Sequence, residues 1–361
     1  MRDYAALADL LGASLLDRNE VLRSRVGRAI ACLAGPAAAL AWLAFRRGDD
    51  FDVIVTDGEH VGIPLAALLR ASRTRVRHVT IGHRLSSRKK RLFFKILHVE
   101  RRIDRIALHS RRQFEHAVGQ LGIGAERLSL IPYQVDTDFW APRAVAEERL
   151  VVSAGLEHRD YGTLFRAVEG LDAEVVIGAA SHWSKHGLSD RPHPSNVRIG
   201  SFDYEALRDL YARASVVVVP LVDVDNQAGV TTILEAMAMA KAVIVSQSLG
   251  QTDVVEDRRA TARGAQRPRP TSLARALAER SGVRVEPNGF YVPPGDPAAL
   301  RSAIAYLLDH PQERAALGRA GRRLAEELFT VRQFAERMRA IVDEAIRPSA
   351  DTVGVRRASY G

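Results

Sequence analysis

Cysteine is nearly absent from this chain, with Cys32 alone among 361 residues. That excludes an intrachain disulfide and points to a reducing compartment. The N-terminus also lacks the basic, apolar and small-residue zones of a secretory signal, so the expected location is cytoplasmic. No apolar run reaches bilayer length without interruption: the longest, residues 29–45, is alanine-rich, broken by Gly35-Pro36, and reads as a buried helix. No repeat of solenoid period is present. The opening strand and glycine-rich turn of a doubly wound domain are missing as well. Residues 3–12 read as helix, which leads to the expectation that a first strand lies upstream of Met1.

Against these absences stand length and apolar content. At 361 residues and 47% hydrophobic composition the chain exceeds one ordinary core and predicts two domains. Short Val- and Ile-rich runs alternate with helix-length amphipathic segments, the pattern of repeated βα units and an α/β fold with parallel sheets. In the first half the strand candidates are Asp52–Asp57, Arg77–His83, Arg105–Ser110 and Leu128–Pro132. In the second they are Leu150–Gly155, Glu174–Gly178, Asn196–Gly200, Ser215–Pro220, Ala242–Ser246 and a short Phe290–Pro293. Residues 136–148 hold no strand and include Pro142, which makes them the candidate linker. The boundary falls near residue 147. Residues 256–285, basic and proline-bearing with poor periodicity, predict a surface insertion. Asp296-Pro297 and the capping box Thr330-Val-Arg-Gln333 open helices near 297–309 and 331–346.

Lysine and arginine outnumber acids 52 to 43, a net charge of +9. The whole excess sits in residues 84–113, where eleven cations meet only Glu100 and Asp104. The remainder is balanced, which argues against a nucleic-acid protein and for one local basic feature. Leu92-Phe-Phe94 and Ile96-Leu97 lie among these cations. The stretch reads either as an amphipathic helix resting on anionic lipid, suited to a lipid-linked acceptor, or as a solvated basic helix with its apolar face in the core.

The richest chemistry lies in residues 226–240, which run from a strand end through Gly229 into an amphipathic helix carrying one acid, Glu235. The apolar run 214–221 upstream suits a strand buried on both faces of a parallel sheet. Gly229 lets the backbone approach a ligand, and the unpaired N–H groups of Val230, Thr231 and Thr232 would face an anion. Glu235, one turn later, offers an acceptor suited to the paired hydroxyls of a ribose.

These parts together resemble the retaining glycosyltransferases of family 4, whose GT-B fold sets two Rossmann-like doubly wound domains across a cleft. The resemblance covers residues 50–346. It is carried by Ile131-Pro-Tyr-Gln-Val-Asp-Thr-Asp-Phe-Trp140, by Val152-Ser-Ala-Gly155 with Arg159 and Leu164, by Leu234-Glu-Ala-Met-Ala-Met-Ala-Lys-Ala-Val-Ile244, and by Asn288-Gly-Phe-Tyr-Val-Pro-Pro-Gly-Asp296, in that order. It implies an acceptor-side domain over 1–147, a nucleotide-sugar domain over 148–328 with the insertion 256–285, and a helix and tail over 329–361 that return to the first domain.

The family carries two acids eight positions apart, the first near the donor sugar and the second on the ribose. Glu235 fits the second, while the first position is Gln227, which hydrogen-bonds hydroxyls but holds no charge. A family cation has become Leu156, leaving Arg159, with His158 beside it, as the diphosphate clamp. Gly229 sits one place early, with Val230 in the usual slot. His83, at the end of a first-domain strand, resembles the histidine that faces the donor sugar, and Glu59 and His60 rank below it. Ser201 and Phe202 are placed at the base. Gly155 is placed at the first turn of the second domain.

The implied reaction moves a sugar from a nucleotide-diphosphate sugar to a sugar, lipid-linked or small-molecule acceptor with retention. No cofactor is expected. Asp223-Val-Asp225 has metal-site spacing but falls in the loop before the cradle, so no metal is expected either. Gln227 and Leu156 keep open a catalytically silent binder of nucleotide or partner, and a GT-B sugar-nucleotide epimerase is the remaining alternative.

Overall fold

The computed structural model describes residues 3–179, 192–258 and 272–347. Helices α1 (Asp3–Leu11), α2 (Arg18–Arg23), α3 (Arg25–Ala34) and α4 (Pro36–Arg46) come first. They are followed by β1 (Val53–Thr56), α5 (Glu59–Arg70), β2 (Arg77–Gly82), α6 (Arg88–Lys95), β3 (Arg105–Leu108), α7 (Arg111–His116) and β4 (Leu128–Leu130). Next come β5 (Leu150–Ala154), α8 (Tyr161–Val168), β6 (Glu174–Gly178), β7 (Val197–Gly200), α9 (Tyr204–Arg213), β8 (Val216–Val219), α10 (Val230–Ala238) and β9 (Ala242–Ser246). The chain continues with α11 (Leu273–Ser281), β10 (Gly289–Val292), α12 (Pro297–Asp309), α13 (Pro311–Leu328) and α14 (Val331–Ile346). Every strand candidate of the sequence is a strand; Glu174–Gly178 and Ala242–Ser246 match in full, most others are shorter by one or two residues, and the last runs Gly289–Val292, one residue earlier than expected. Two compact units result: an N-terminal one of residues 3–109, Gln113–Ile131 and 335–347, and a C-terminal one of Ser110–Arg112 and Pro132–Phe334.

In the N-terminal unit four parallel strands pair in the order β1-β2-β3-β4, with Thr56 opposite Thr80 and Ile106 opposite Leu128. One face is covered by Ile63 and Ala66 of α5, Leu85, Phe94 of α6 and Ile123. Gly62 is required where α5 crosses the sheet, since a methyl there would come within 2.4 Å of the Thr80 hydroxyl. Beneath it the fully buried His78 shares a 3.1 Å contact with the Thr56 hydroxyl, which donates to Thr80 Oγ1 at 2.8 Å.

The C-terminal unit holds six parallel strands in the order β7-β6-β5-β8-β9-β10. Along β8, Val216 and Val218 enter one core with α8 and α12, while Val217 and Val219 enter another with α9 and α10. Both faces are dry, which is why the strand reads as an unbroken valine run instead of an alternation. Numbered among themselves the strands run 3-2-1-4-5-6, so the winding reverses between β5 and β8, the place where open α/β sheets bind ligands.

Three expectations are corrected. Residues 29–45 form two helices, because Pro36 has no N–H to continue α3 and instead opens α4 after Gly35 at φ +89°. Only Ala39 and Ala41 of α4 are buried and Leu33 is 89% exposed. The basic stretch 84–113 is not one helix: α6, a 3₁₀ turn at Val99–Arg102, β3 and the start of α7 divide it. Of the insertion, residues 259–271 lie outside those described, while 273–281 form α11, capped by the Ser272 hydroxyl and closed by left-handed Gly282. The Thr330–Gln333 box forms reciprocally, with the Gln333 amide donating to Thr330 Oγ1 and the Thr330 amide to Gln333 Oε1.

Candidate functional site

In the C-terminal unit the loops after β5 and β8 flank the point of reversal, and backbone hydrogen bonds join them. The Asp160 amide donates to the Pro220 carbonyl at 3.0 Å and the Val222 amide to the His158 carbonyl at 3.1 Å. His158 pays for this pairing with a left-handed φ of 55°. Gly155 (φ +89°) ends β5 and Gly229 (φ +75°) caps α10.

Arg159 lies between these two glycines. A methyl at Gly155 would come 2.7 Å from Arg159 Nη2, and one at Gly229 would come 3.2 Å from Nη1 and 2.6 Å from Val219 Cγ1. The guanidinium is fixed by donating through Nε to the Ala154 carbonyl (2.9 Å), through Nη1 to the Glu157 carbonyl (3.0 Å) and through Nη2 to Thr232 Oγ1 (3.2 Å). Burial draws its pKa below the usual value, opposed by Tyr161, Tyr211, Glu235 and Glu157. A cation is thus held at the N-terminus of α10, beside the amides of Val230, Thr231 and Thr232, which have no preceding turn to bond. The Val230 side chain is buried in the core, Thr231 is exposed, and the Thr232 hydroxyl serves Arg159.

Glu235 is half-buried one turn into α10, and its carboxylate accepts from the Tyr211 hydroxyl at 3.4 Å. Burial pushes its pKa up to about 8, against the Tyr211 hydrogen bond and the Arg159 charge. Tyr211 is itself raised well above the ordinary range by burial and by Glu235. The acid therefore stands among ionisable partners, turned neither to open solvent nor into hydrocarbon alone.

Ahead of the cradle, the loop 247–251 braces the loop 222–229. The Gly250 amide donates to the Val224 carbonyl, the Leu249 amide to Asp223 Oδ1, and Gln251 Nε2 to the Ala228 carbonyl. Asp223 is thereby a brace of the loop. Buried here without a hydrogen-bond partner among the described residues are Gln227 Oε1, Asn226 Oδ1, Gln251 Oε1 and Ser248 Oγ. Such atoms cost roughly 1–3 kcal/mol each when unpaired, so ligand or water hydroxyls suit them. Ser201 is exposed in the loop after β7, and the Phe202 ring packs over Gly200 and Gly178 at the sheet end.

A second cluster lies in the N-terminal unit at the ends of its strands. His83 Nε2 stands 3.4 Å from Asp57 Oδ1, and its ring stacks on His109 with centroids 5.3 Å apart. The His83 hydrogen bond, with the nearby charges of His83, His109 and His60, holds the Asp57 carboxyl below its usual range. His109 Nδ1 faces the Ile131 carbonyl at 3.2 Å, which fixes Nδ1 as the protonated nitrogen. Glu59 is buried and accepts the His83 amide (2.8 Å), the Arg84 amide (3.2 Å) and the Lys90 ammonium. His60 is exposed beside Gly58. Tyr211, Gln251, Asp57, His109 and Lys90 carry no motif of their own in the sequence; only the fold brings them to these two clusters.

Residues 163–282 match the family profile described as glycosyl transferases group 1. The chain carries a glycosyltransferase domain. With it comes the activity class of a sugar transferase. Comparison with curated proteins finds no match. Solved structures of the same fold include a glycosyltransferase from Rickettsia africae, at 15% identity and TM-score 0.62, with 87% of this chain and 81% of that one covered. Sucrose-phosphate synthase from Thermosynechococcus elongatus matches at 19% identity and TM-score 0.64, covering 86% and 78%. Anabaena HepE in complex with UDP-glucose matches at 15% identity and TM-score 0.65, covering 87% and 84%. At these identities the likeness establishes the fold: an α/β protein of GT-B type with two parallel sheets.

Proposed function

We propose that this protein transfers a glycosyl group from a nucleotide-diphosphate sugar to an acceptor hydroxyl, with retention and without a bound metal, as a glycosyltransferase of family 4. The observation that carries the proposal is the Arg159 guanidinium fixed between Gly155 and Gly229 at the open amides of α10, with the Glu235 carboxyl one turn behind. The diphosphate rests on the amides of Val230, Thr231 and Thr232, and Arg159 offsets the charge that grows as it departs. Fixed dipoles and one cation replace a metal in this role. Glu235 accepts the ribose hydroxyls, Gln227 meets hydroxyls of the donor sugar, and the base lies towards Ser201 and Phe202. His83, paired with Asp57, takes part in the transfer step.

The acceptor oxygen bonds to the anomeric carbon on the face from which the diphosphate leaves and its proton passes to the departing phosphate, so the chain supplies no nucleophile. The test is a thermal-shift panel of UDP, GDP, CDP, ADP and dTDP with their sugar conjugates, followed by nucleotide release in the presence and absence of EDTA and assignment of the product anomer by NMR. UDP-glucose is the first donor to try, because Anabaena HepE binds it. Turnover that survives EDTA and preserves the donor configuration supports the proposal. Inversion, or strict dependence on a divalent ion, sinks it. Gln227, in place of an acid, favours a second reading as a silent nucleotide-sugar binder; binding with no consumption in acceptor-bearing extracts would establish that one.

A further inference from the structure

Helix α6 (Arg88–Lys95) has one anchored side. Phe94 is 1% exposed within the N-terminal core, and the Lys90 ammonium joins the buried Glu59 carboxylate and donates to the Arg84 carbonyl at 2.7 Å. These two residues, four apart, fix the rotation of the helix. The rest of the helix and the turn after it are held outward, and four residues there are large and apolar. Leu92 is 57% exposed, Phe93 37%, Ile96 63% and Leu97 45%. Lys89, Arg91 and Lys95 are exposed around them, and no acid occurs between Arg84 and Val99.

Four exposed large apolar residues within six positions form a patch that a freely soluble face does not need. Three interspersed cations oppose burial against an ordinary protein core but suit a surface whose interior is apolar and whose face is negative. With eight residues α6 is far too short to cross a membrane, so its contact with lipid would be made at the surface. We propose that α6 and the turn after it dock on an anionic lipid bilayer, with Leu92, Phe93, Ile96 and Leu97 entering the headgroup boundary and Lys89, Arg91 and Lys95 meeting lipid phosphates. The same helix, through Lys90 and Glu59, sets the backbone of His83. Docking therefore immobilises an element that is tied directly to the N-terminal cluster.

The experiment is co-sedimentation of the full chain with phosphatidylcholine vesicles, with and without phosphatidylglycerol, over a salt series. Two variants accompany it: L92S/F93S/I96S, and K89E/R91E/K95E. Binding should require phosphatidylglycerol and weaken with salt, and the charge variant should bind about 100-fold less tightly. The apolar variant should lose its residual salt-resistant binding. Absence of vesicle binding, binding indifferent to lipid charge, or variants that bind as well as the parent would each overturn the proposal. Self-association that depends on the patch, detected by sedimentation equilibrium, would also overturn it. The substituted residues are exposed, and the nucleotide-sugar thermal shift of each variant confirms its fold. Because that shift is read on the C-terminal unit, failure to bind vesicles and failure to bind donor are separate results.

Discussion

Arg159 and Gly229 are mutually dependent: the guanidinium occupies the space that a side chain at position 229 would fill, 3.2 Å from where its first carbon would stand. Thr232, in the first turn of α10, then accepts from the same guanidinium. The cation and the helix start form one unit, in which neither part can be altered without moving the other.

Gly229→Ala tests this unit. Left-handed geometry costs a non-glycine residue roughly 1–2 kcal/mol, and the methyl would also press on Val219 at 2.6 Å. Chemical denaturation should show that loss, and calorimetric titration with the nucleotide sugar should show weakened binding.

Arg159→Lys keeps the charge but lacks the planar fork that reaches Ala154, Glu157 and Thr232 together. Turnover should fall by roughly 100-fold, with a smaller change in melting temperature. Equal turnover would remove Arg159 from the transfer step.

The raised Glu235 pKa sets a pH dependence. A carboxyl that holds its proton more tightly when folded gives stability that is complete below about 4.5 and is lost as pH rises towards about 8, with a steepest slope of about 1.4 kcal/mol per pH unit. Urea melts across that range should show the decline in the C-terminal unit, and Glu235→Gln should flatten it. Donor affinity should rise over the same window as the ribose acceptor ionises, a trend that Glu235→Gln should abolish.

His78 behaves oppositely, in the N-terminal unit. Burial lowers its pKa from 6.5 to about 4, so the unfolded chain takes up a proton first. Stability is therefore present above 6.5 and lost as pH falls towards 4, by roughly 3 kcal/mol in all. His78→Gln should weaken this acid sensitivity, as followed by circular dichroism.

The Glu59–Lys90 pair is strongly shielded, with side chains 7% and 24% exposed. Lys90→Met leaves a buried carboxylate with its two backbone amides but without its counter-ion and should cost about 3 kcal/mol, whereas Glu59→Gln with Lys90→Met should cost less. A double-mutant cycle by denaturation measures the difference.

Much of the architecture was written in the chain itself. A strand covered on both faces must be apolar throughout, so runs such as Val216–Val219 announced their positions without any knowledge of neighbours. Gly229, the residue that adopts left-handed backbone at least cost, marked the helix start, and Thr330 with Gln333 marked another. These signals are local: backbone geometry, capping and periodicity act within a few residues. Where two local signals competed, the chain was ambiguous, as at Gly35-Pro36, where an apolar run concealed a break between two helices.

The tertiary structure alone decided which distant groups meet. Tyr211 faces Glu235 across 24 positions, His83 meets Asp57 and His109, and Lys90 reaches Glu59. It also decided that α6 turns Phe94 inward and leaves Leu92 and Phe93 outside, and that the carboxyl of Glu235 holds its proton. Contacts and pKa shifts of this kind depend on burial and on the packing of elements remote in sequence, and no short stretch of residues contains that information.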